Sequence, residues 1–189
     1  RNAIADVLFG DYNPSGKLPI SFPREEGQIP IYYNHFNTGR PAPNETATNY
    51  VSAYIDLKNS PKFPFGYGLS YTTFNYSDLQ LSKKVMKKNE TITVSFTLTN
   101  TGKFDGEEVV QLYLKDQVGS VVRPVKELRD FQKVFLKAGA SQKITFTIDK
   151  EKLAFYNAKL EWAPEPGAFE VQLGASSADI RLKDNFELL

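Results

Sequence analysis

Between Thr91 and Thr99 the chain alternates strictly, with Ile92, Val94, Phe96 and Leu98 in one register and Thr91, Thr93, Ser95, Thr97 and Thr99 in the other. A period of two predicts a half-buried strand, and the turn signal Asn100-Thr101-Gly102 predicts its end. The pattern returns twice. Ile144, Phe146 and Ile148 alternate with Thr145, Thr147 and Asp149, and Phe169, Val171 and Leu173 alternate with Glu170 and Gln172. Between them, "EEVVQLYLKD" and "LRDFQKVFL" carry apolar residues in both registers, which predicts strands with both faces partly covered. Turn-rich "NTGKFDG", "KAGAS" and "APEPG" divide the run at the spacing of an all-β sandwich of about seven or eight strands from Tyr76 to Leu188. The predicted core positions are Phe96, Leu98, Leu112, Leu114, Phe146, Val171 and Leu173. "DKEKLAFY" interrupts the alternation and predicts one helical turn around Glu151 to Ala154.

The first third of the chain lacks this order. Ala3 to Phe9 reads as the last turns of an amphipathic helix closed by Gly10. From Asp11 to about Gly68 there is little periodicity, and most of the chain's 11 prolines fall there. So long an irregular stretch is expected to be a connector wrapped on a neighbour. A helix beginning at the first residue is likewise expected to have been cut from something longer. Its apolar positions, Ile4, Val7, Leu8, Phe9, Leu18, Ile20, Phe22, Ile29, Ile31, Tyr32 and Tyr33, would then lack part of their burial partner.

Composition removes several classes of function. A formal net charge of +1, from 23 basic and 22 acidic residues, gives no electrostatic footprint for nucleic acid or an anionic membrane. No apolar run approaches the roughly 18 residues of a transmembrane helix. The chain has no cysteine and one histidine, so thiol chemistry, disulfides and a multi-histidine metal site within it are excluded. No metal or cofactor site is expected. The lysines between Lys83 and Lys88 read as a solvated sheet edge that deters aggregation.

Motifs for chemistry are sparse. Gly66 and Gly68 form a G-x-G with no third glycine, and Gly16-Lys17 is followed by Leu18, so neither phosphate-binding fingerprint is met. Glycoside hydrolysis needs two converging carboxyls. Glu107, Glu108, Asp116 and Asp149 are instead expected at exposed strand ends or on polar faces. "YYNHFNTGRP" gathers Tyr33, His35 and Arg40 with asparagines and further rings, a mixture able to hydrogen-bond a sugar. The same residues also suit a turn-rich connector.

Five stretches, "ADVLFGDYNPSGKLPISFPR", "IPIYYNHFNTGRP", "FPFGYGLSYTTFNYSDLQLS", "NTGKFDGEEVVQLYLKD" and "RPVKELRDFQKVFLKAG", occur in this order over nearly the whole chain. Together they resemble the C-terminal part of a family 3 glycoside hydrolase of the bacterial periplasmic β-glucosidase type. The resemblance implies that residues 1–67 are the proline-rich tail of an α/β sandwich domain and that 68–189 form a fibronectin type III-like, immunoglobulin-like sandwich. The rings of "FPFGYGLSYTTF" would then pack the junction.

The family's catalytic residues do not map onto this chain. Its Asp nucleophile belongs to a barrel domain and its Glu acid/base to an earlier part of the second domain. Ser77-Asp78-Leu79 matches two letters of the nucleophile motif but lacks its Trp. The resemblance therefore implies a noncatalytic segment of a retaining, periplasmic or secreted enzyme acting on β-linked glycosides. Its partners would be the N-terminal catalytic domains, with self-association through residues 1–67 when they are absent. No catalytic residue is assigned, and Tyr33, His35 and Arg40 are the substrate-adjacent candidates. The competing expectation is a stand-alone carbohydrate-binding or adhesion module of the same fold.

Overall fold

The structure, a computed structural model, describes residues 2–47 and 49–189. Helix α1 (Asn2–Phe9) stops at Gly10, whose φ of 86° is readily accessible to glycine. The segment that follows is irregular apart from a 3-10 turn at Glu26–Gln28 and isolated bridges such as Phe22 to Phe63. Its shape is held by hydrogen bonds to the backbone. Gln28 accepts from the Arg24 amide and donates to the Lys58 carbonyl at 2.8 Å.

Ten strands follow: β1 (Phe74–Leu81), β2 (Val85–Met86), β3 (Ile92–Asn100), β4 (Gly106–Asp116), β5 (Glu127–Leu136), β6 (Ser141–Ile148), β7 (Phe155–Tyr156), β8 (Trp162–Ala163), β9 (Gly167–Gly174) and β10 (Ile180–Leu188). They form a three-stranded sheet β1-β3-β6, a five-stranded sheet β2-β10-β9-β4-β5, and the small hairpin β7-β8. Seven strands are long and three have two residues, so the expected seven or eight correspond to the long set. Helix α2 (Lys150–Leu153) is the expected turn. It is capped by the Asp149 carboxylate, which accepts from the Lys152 amide at 3.0 Å.

The two larger sheets face each other across one apolar core. All seven predicted core residues are buried there, joined by Ile92, Val94, Ile144, Ile148 and Phe186. Tyr76 stacks on Phe96 and Phe169 on Phe186. Register explains which side chains arrive. Pairing Val94 with Phe146 and Ile92 with Ile148 keeps the apolar set of β3 and β6 on the same face.

β5 departs from expectation. Its apolar residues were expected to be covered on both faces, but Phe131 and Phe135 are exposed beside Lys133. This is an edge strand, paired only with β4, so no third strand supports neighbouring side chains over its outer face. The lysine run behaves as an exposed edge, with Lys83 paired to Glu90 at 3.1 Å and Lys84 to Asp184.

Candidate functional site

The front segment is seated on the outer face of the five-stranded sheet, chiefly over β4. Strand alternation turns Gln111 and Tyr113 outward, away from Leu112 and Leu114 in the core. Both are nevertheless buried, because residues 65–67 and Tyr33 cover them. Gln111 donates to the Gly66 carbonyl at 3.2 Å and to the Ala175 carbonyl at 2.8 Å. The Ser177 amide donates to the Phe65 carbonyl at 2.9 Å. Gly66 has φ 79°, and a Cβ there would overlap the Gln111 side-chain oxygen. The Gly66-x-Gly68 pair is thus a close-approach motif, and its second glycine fits against the Gly16 carbonyl.

The three candidate residues occupy different settings. Tyr33 stacks on Phe65, with ring centroids 4.3 Å apart, and meets Tyr113 edge-on at 5.8 Å. Its hydroxyl accepts from the Leu128 amide at 3.1 Å. His35 is exposed, its carbonyl accepts from the Val125 amide at 2.9 Å, and Phe36 bridges to Pro124. Arg40 is exposed, and its carbonyl accepts from the Ser52 amide at 2.7 Å. A recess of about 670 Å³ opens beside His35, lined also by Tyr32, Phe36, Tyr54 and Asn59. Arg40 lies outside its lining, and Tyr33 faces a second recess of about 300 Å³ that includes Lys126 and Ser177. Burial and the nearby Lys183 lower the Lys126 pKa, while its ammonium donates to the Ser177 carbonyl at 2.9 Å.

Two of the acids expected at exposed positions are not exposed. Glu108 is 5% exposed, and its carboxylate pairs with Lys17 of the front segment at 3.1 Å and accepts from the Tyr76 hydroxyl at 3.3 Å. Burial pushes its pKa up, and Lys17 draws it back down. The side chain of Asp116 is likewise largely buried, against Arg123 at 3.3 Å, with burial again raising its pKa. Arg123 also reaches Glu127 at 2.8 Å and lies 3.9 Å from the centre of the Phe155 ring.

Sequence reasoning missed these pairs because their partners are distant in the chain or lie beyond a loop. The available signal was that consecutive Glu107 and Glu108 must point to opposite faces, so one of them has to enter the sandwich. The same geometry prevents the two from converging on one bond. Glu107 sits on the outer face with Lys133 at 2.7 Å and the Ser15 hydroxyl at 3.0 Å, which together lower its pKa. Asp78 stands exposed at φ 57° within a bulge of β1 and accepts from its neighbour Ser77. Among the described residues no group of three or more His, Cys, Asp or Glu side chains is placed to hold a metal ion.

Comparison with known proteins supplies the context. The family model for the glycosyl hydrolase family 3 C-terminal domain matches residues 1–71, and that for a fibronectin type III-like domain matches residues 108–177. The chain is 54% identical over 188 residues to a periplasmic beta-glucosidase of Salmonella typhimurium, covering 100% of this chain and 24% of that protein. It is 45% identical to thermostable beta-glucosidase B of Acetivibrio thermocellus, covering 97% of this chain and 24% of that one. Its fold matches the crystal structure of beta-glucosidase from Listeria innocua in complex with isofagomine, with TM-score 0.92 and 45% identity over 98% of this chain and 26% of that one. The chain therefore spans about a quarter of the length of these relatives. Two family models matched in order, and close relatives aligned over the whole chain, show that it belongs to glycosyl hydrolase family 3 as a C-terminal portion, part of that family's C-terminal domain followed by a fibronectin type III-like domain.

Proposed function

We propose that this chain is a noncatalytic segment that braces the catalytic domains of a β-glucosidase-like hydrolase. In this reading residues 1–67 are the tail of the α/β sandwich domain and 68–189 are the fibronectin type III-like domain. One observation carries it. The front segment is bound to the sandwich through the Gly66–Gln111 contact, the Tyr33 ring on Tyr113 and the Lys17–Glu108 ion pair, while Ile4, Leu8, Phe9, Ile20, Ile29 and Tyr32 remain exposed. Those side chains present an apolar surface of the kind that another protein layer covers.

The parent protein hydrolyses terminal β-D-glycosidic bonds with retention, in the periplasm or outside the cell. An aspartate attacks the anomeric carbon and a glutamate protonates the leaving oxygen, giving a covalent glycosyl-enzyme that water then resolves. Neither acid lies in this chain. Its contribution is mechanical: the Lys17–Glu108 pair and the Gly66–Gln111 contact fix where the apolar surface stands. Tyr33, His35 and Arg40 are the residues proposed to lie nearest substrate, and the recess beside His35 is where a bound glycoside would be met first.

The purified chain should give only background hydrolysis of a chromogenic aryl β-glucoside. Turnover that disappears when an acid of this chain, such as Glu107, is replaced by Ala would overturn the assignment.

A further inference from the structure

The β7-β8 hairpin belongs to neither large sheet, and it presents three large apolar side chains to solvent. Phe155 and Ala163 pair on its inner face, with Phe155 buried beneath the Arg123 guanidinium. Alternation then forces the opposite pair, Tyr156 and Trp162, outward. They are 64% and 49% exposed, with ring centroids 5.1 Å apart, and Leu160 at the tip is 81% exposed. The supporting role described above uses none of them.

The hairpin is tied by its own hydrogen bonds. The Asn157 side-chain oxygen accepts from the amides of Lys159 and Glu161, and the Asn157 amide donates to the Glu161 carbonyl at 3.1 Å. Leu160 is held at φ 61°, a conformation that disfavours a branched side chain. The indole N–H donates to Glu151 at 3.3 Å, which fixes the ring plane of Trp162. The loop therefore maintains an exposed ring pair and an exposed leucine in one geometry, at some conformational cost.

We propose that this hairpin is a binding site for β-linked glucose oligosaccharides. A β-glucopyranose ring carries its hydroxyls equatorially, which leaves C–H faces that fit flat against an indole. Polar groups for the hydroxyls stand exposed on the same hairpin, at Tyr156, Lys159 and Glu161, whose carboxylate accepts from the Asn157 side-chain amide at 3.2 Å. Area also favours a small ligand. Three partly exposed side chains offer on the order of 400 Å², against the roughly 800 Å² per partner of a stable protein interface. The choice of β-linked glucose rests on the proposed reading of the parent enzyme, whose own test is hydrolysis and so fails or succeeds separately.

Trp162 is the only tryptophan of the chain, so its fluorescence reports on this face alone. Titration with cello- or laminari-oligosaccharides should give a saturable change with millimolar half-saturation. Tyr156→Ala keeps the reporter and should weaken binding at least threefold, with an unchanged thermal midpoint for the sandwich. A response that does not saturate, or one that Tyr156→Ala leaves unaltered, would overturn the site. So would protection of Trp162 from mild chemical oxidation in the longer parent enzyme, read at that residue by peptide mass spectrometry, since that would place another protein layer on the face.

Discussion

Phe96 in β3 and Ile29 in the front segment are both large apolar residues, yet the first is 1% exposed and the second 64%. The contrast extends across the two regions. In the sandwich, apolar residues meet one another across two sheets, and hydrogen bonding runs mostly along the strand ladders. In the front segment the order is inverted. Polar and backbone groups make most of the attachment, through Asn13 to the Asp105 carbonyl, Lys17 to Glu108 and Gly66 to Gln111, beside one aromatic contact of Tyr33 with Tyr113, while Ile4, Leu8, Phe9, Ile20 and Ile29 stand exposed. An apolar residue in an irregular segment thus need not be satisfied within its own chain. Here the polar anchors do most of the holding, and much of the apolar set stays exposed.

The sharpest way to break this contrast is to strike the core. Phe96→Ala should destabilise the chain by about 3 to 5 kcal/mol, whereas Thr97→Ala, in the outward register, should stay within about 0.5 kcal/mol. Equal effects in chemical denaturation would show that the two registers of β3 do not differ in burial.

A smaller loss is expected at the ion pair that ties the regions together. Lys17→Met leaves the Glu108 carboxylate buried without its cation and should cost about 2 to 3 kcal/mol at neutral pH, since the lysine side of the pair is partly open to water. The loss should depend on pH in one direction. Glu108 has a folded pKa raised above its unfolded value, so stability falls as pH rises from the ordinary glutamate range through the folded pKa. Removing Lys17, which draws that pKa down, enlarges the fall. The variant and the parent chain should therefore converge at acid pH and diverge as pH rises. Denaturation midpoints that separate most at acid pH would contradict the assignment.

The smallest effect on global stability is expected at Gly66. Alanine there combines a φ of 79° with overlap against Gln111, and the strain falls on the seat of the front segment. Limited proteolysis of Gly66→Ala should cut before residue 68 much faster than in the parent, with the sandwich still resistant. Faster cutting inside β3 or β4 would mean that the two regions unfold as one unit.

The sandwich was legible because its side chains alternate. Ile92 to Leu98 and Ile144 to Ile148 announced their buried faces, and all seven proposed core residues lie in the core. Edge position was not legible, since nothing in "LRDFQKVFL" shows that β5 has a neighbour on only one side. Nor were the partners of Glu108 and Asp116: alternation turns one of Glu107 and Glu108 inward, but that Lys17 meets Glu108, and Arg123 meets Asp116, depends on how the front segment and the following loop come back over β4. At the candidate site, the rings around Phe65 suggested packing and Phe65 does stack, but its partner is Tyr33, which the sequence offered as a candidate beside substrate. The recess beside His35 could not be foreseen, because its wall is assembled from residues between Gln28 and Asn59 without any periodic pattern.

The position of β10 in its sheet has a consequence for synthesis. It is the last strand in chain order, yet it lies inside the five-stranded sheet, antiparallel to β9 and parallel to β2. A ribosome making this chain releases β1 to β9 before the strand that completes the core is available. Phe186 and Leu188, both buried, are still in the exit tunnel while their neighbours wait. The anchor for Phe65 waits as well, since the Ser177 amide precedes β10 by only a few residues. Until β10 follows, both the core and the seat of Phe65 stay incomplete, and that is the interval in which a chaperone would have most to do.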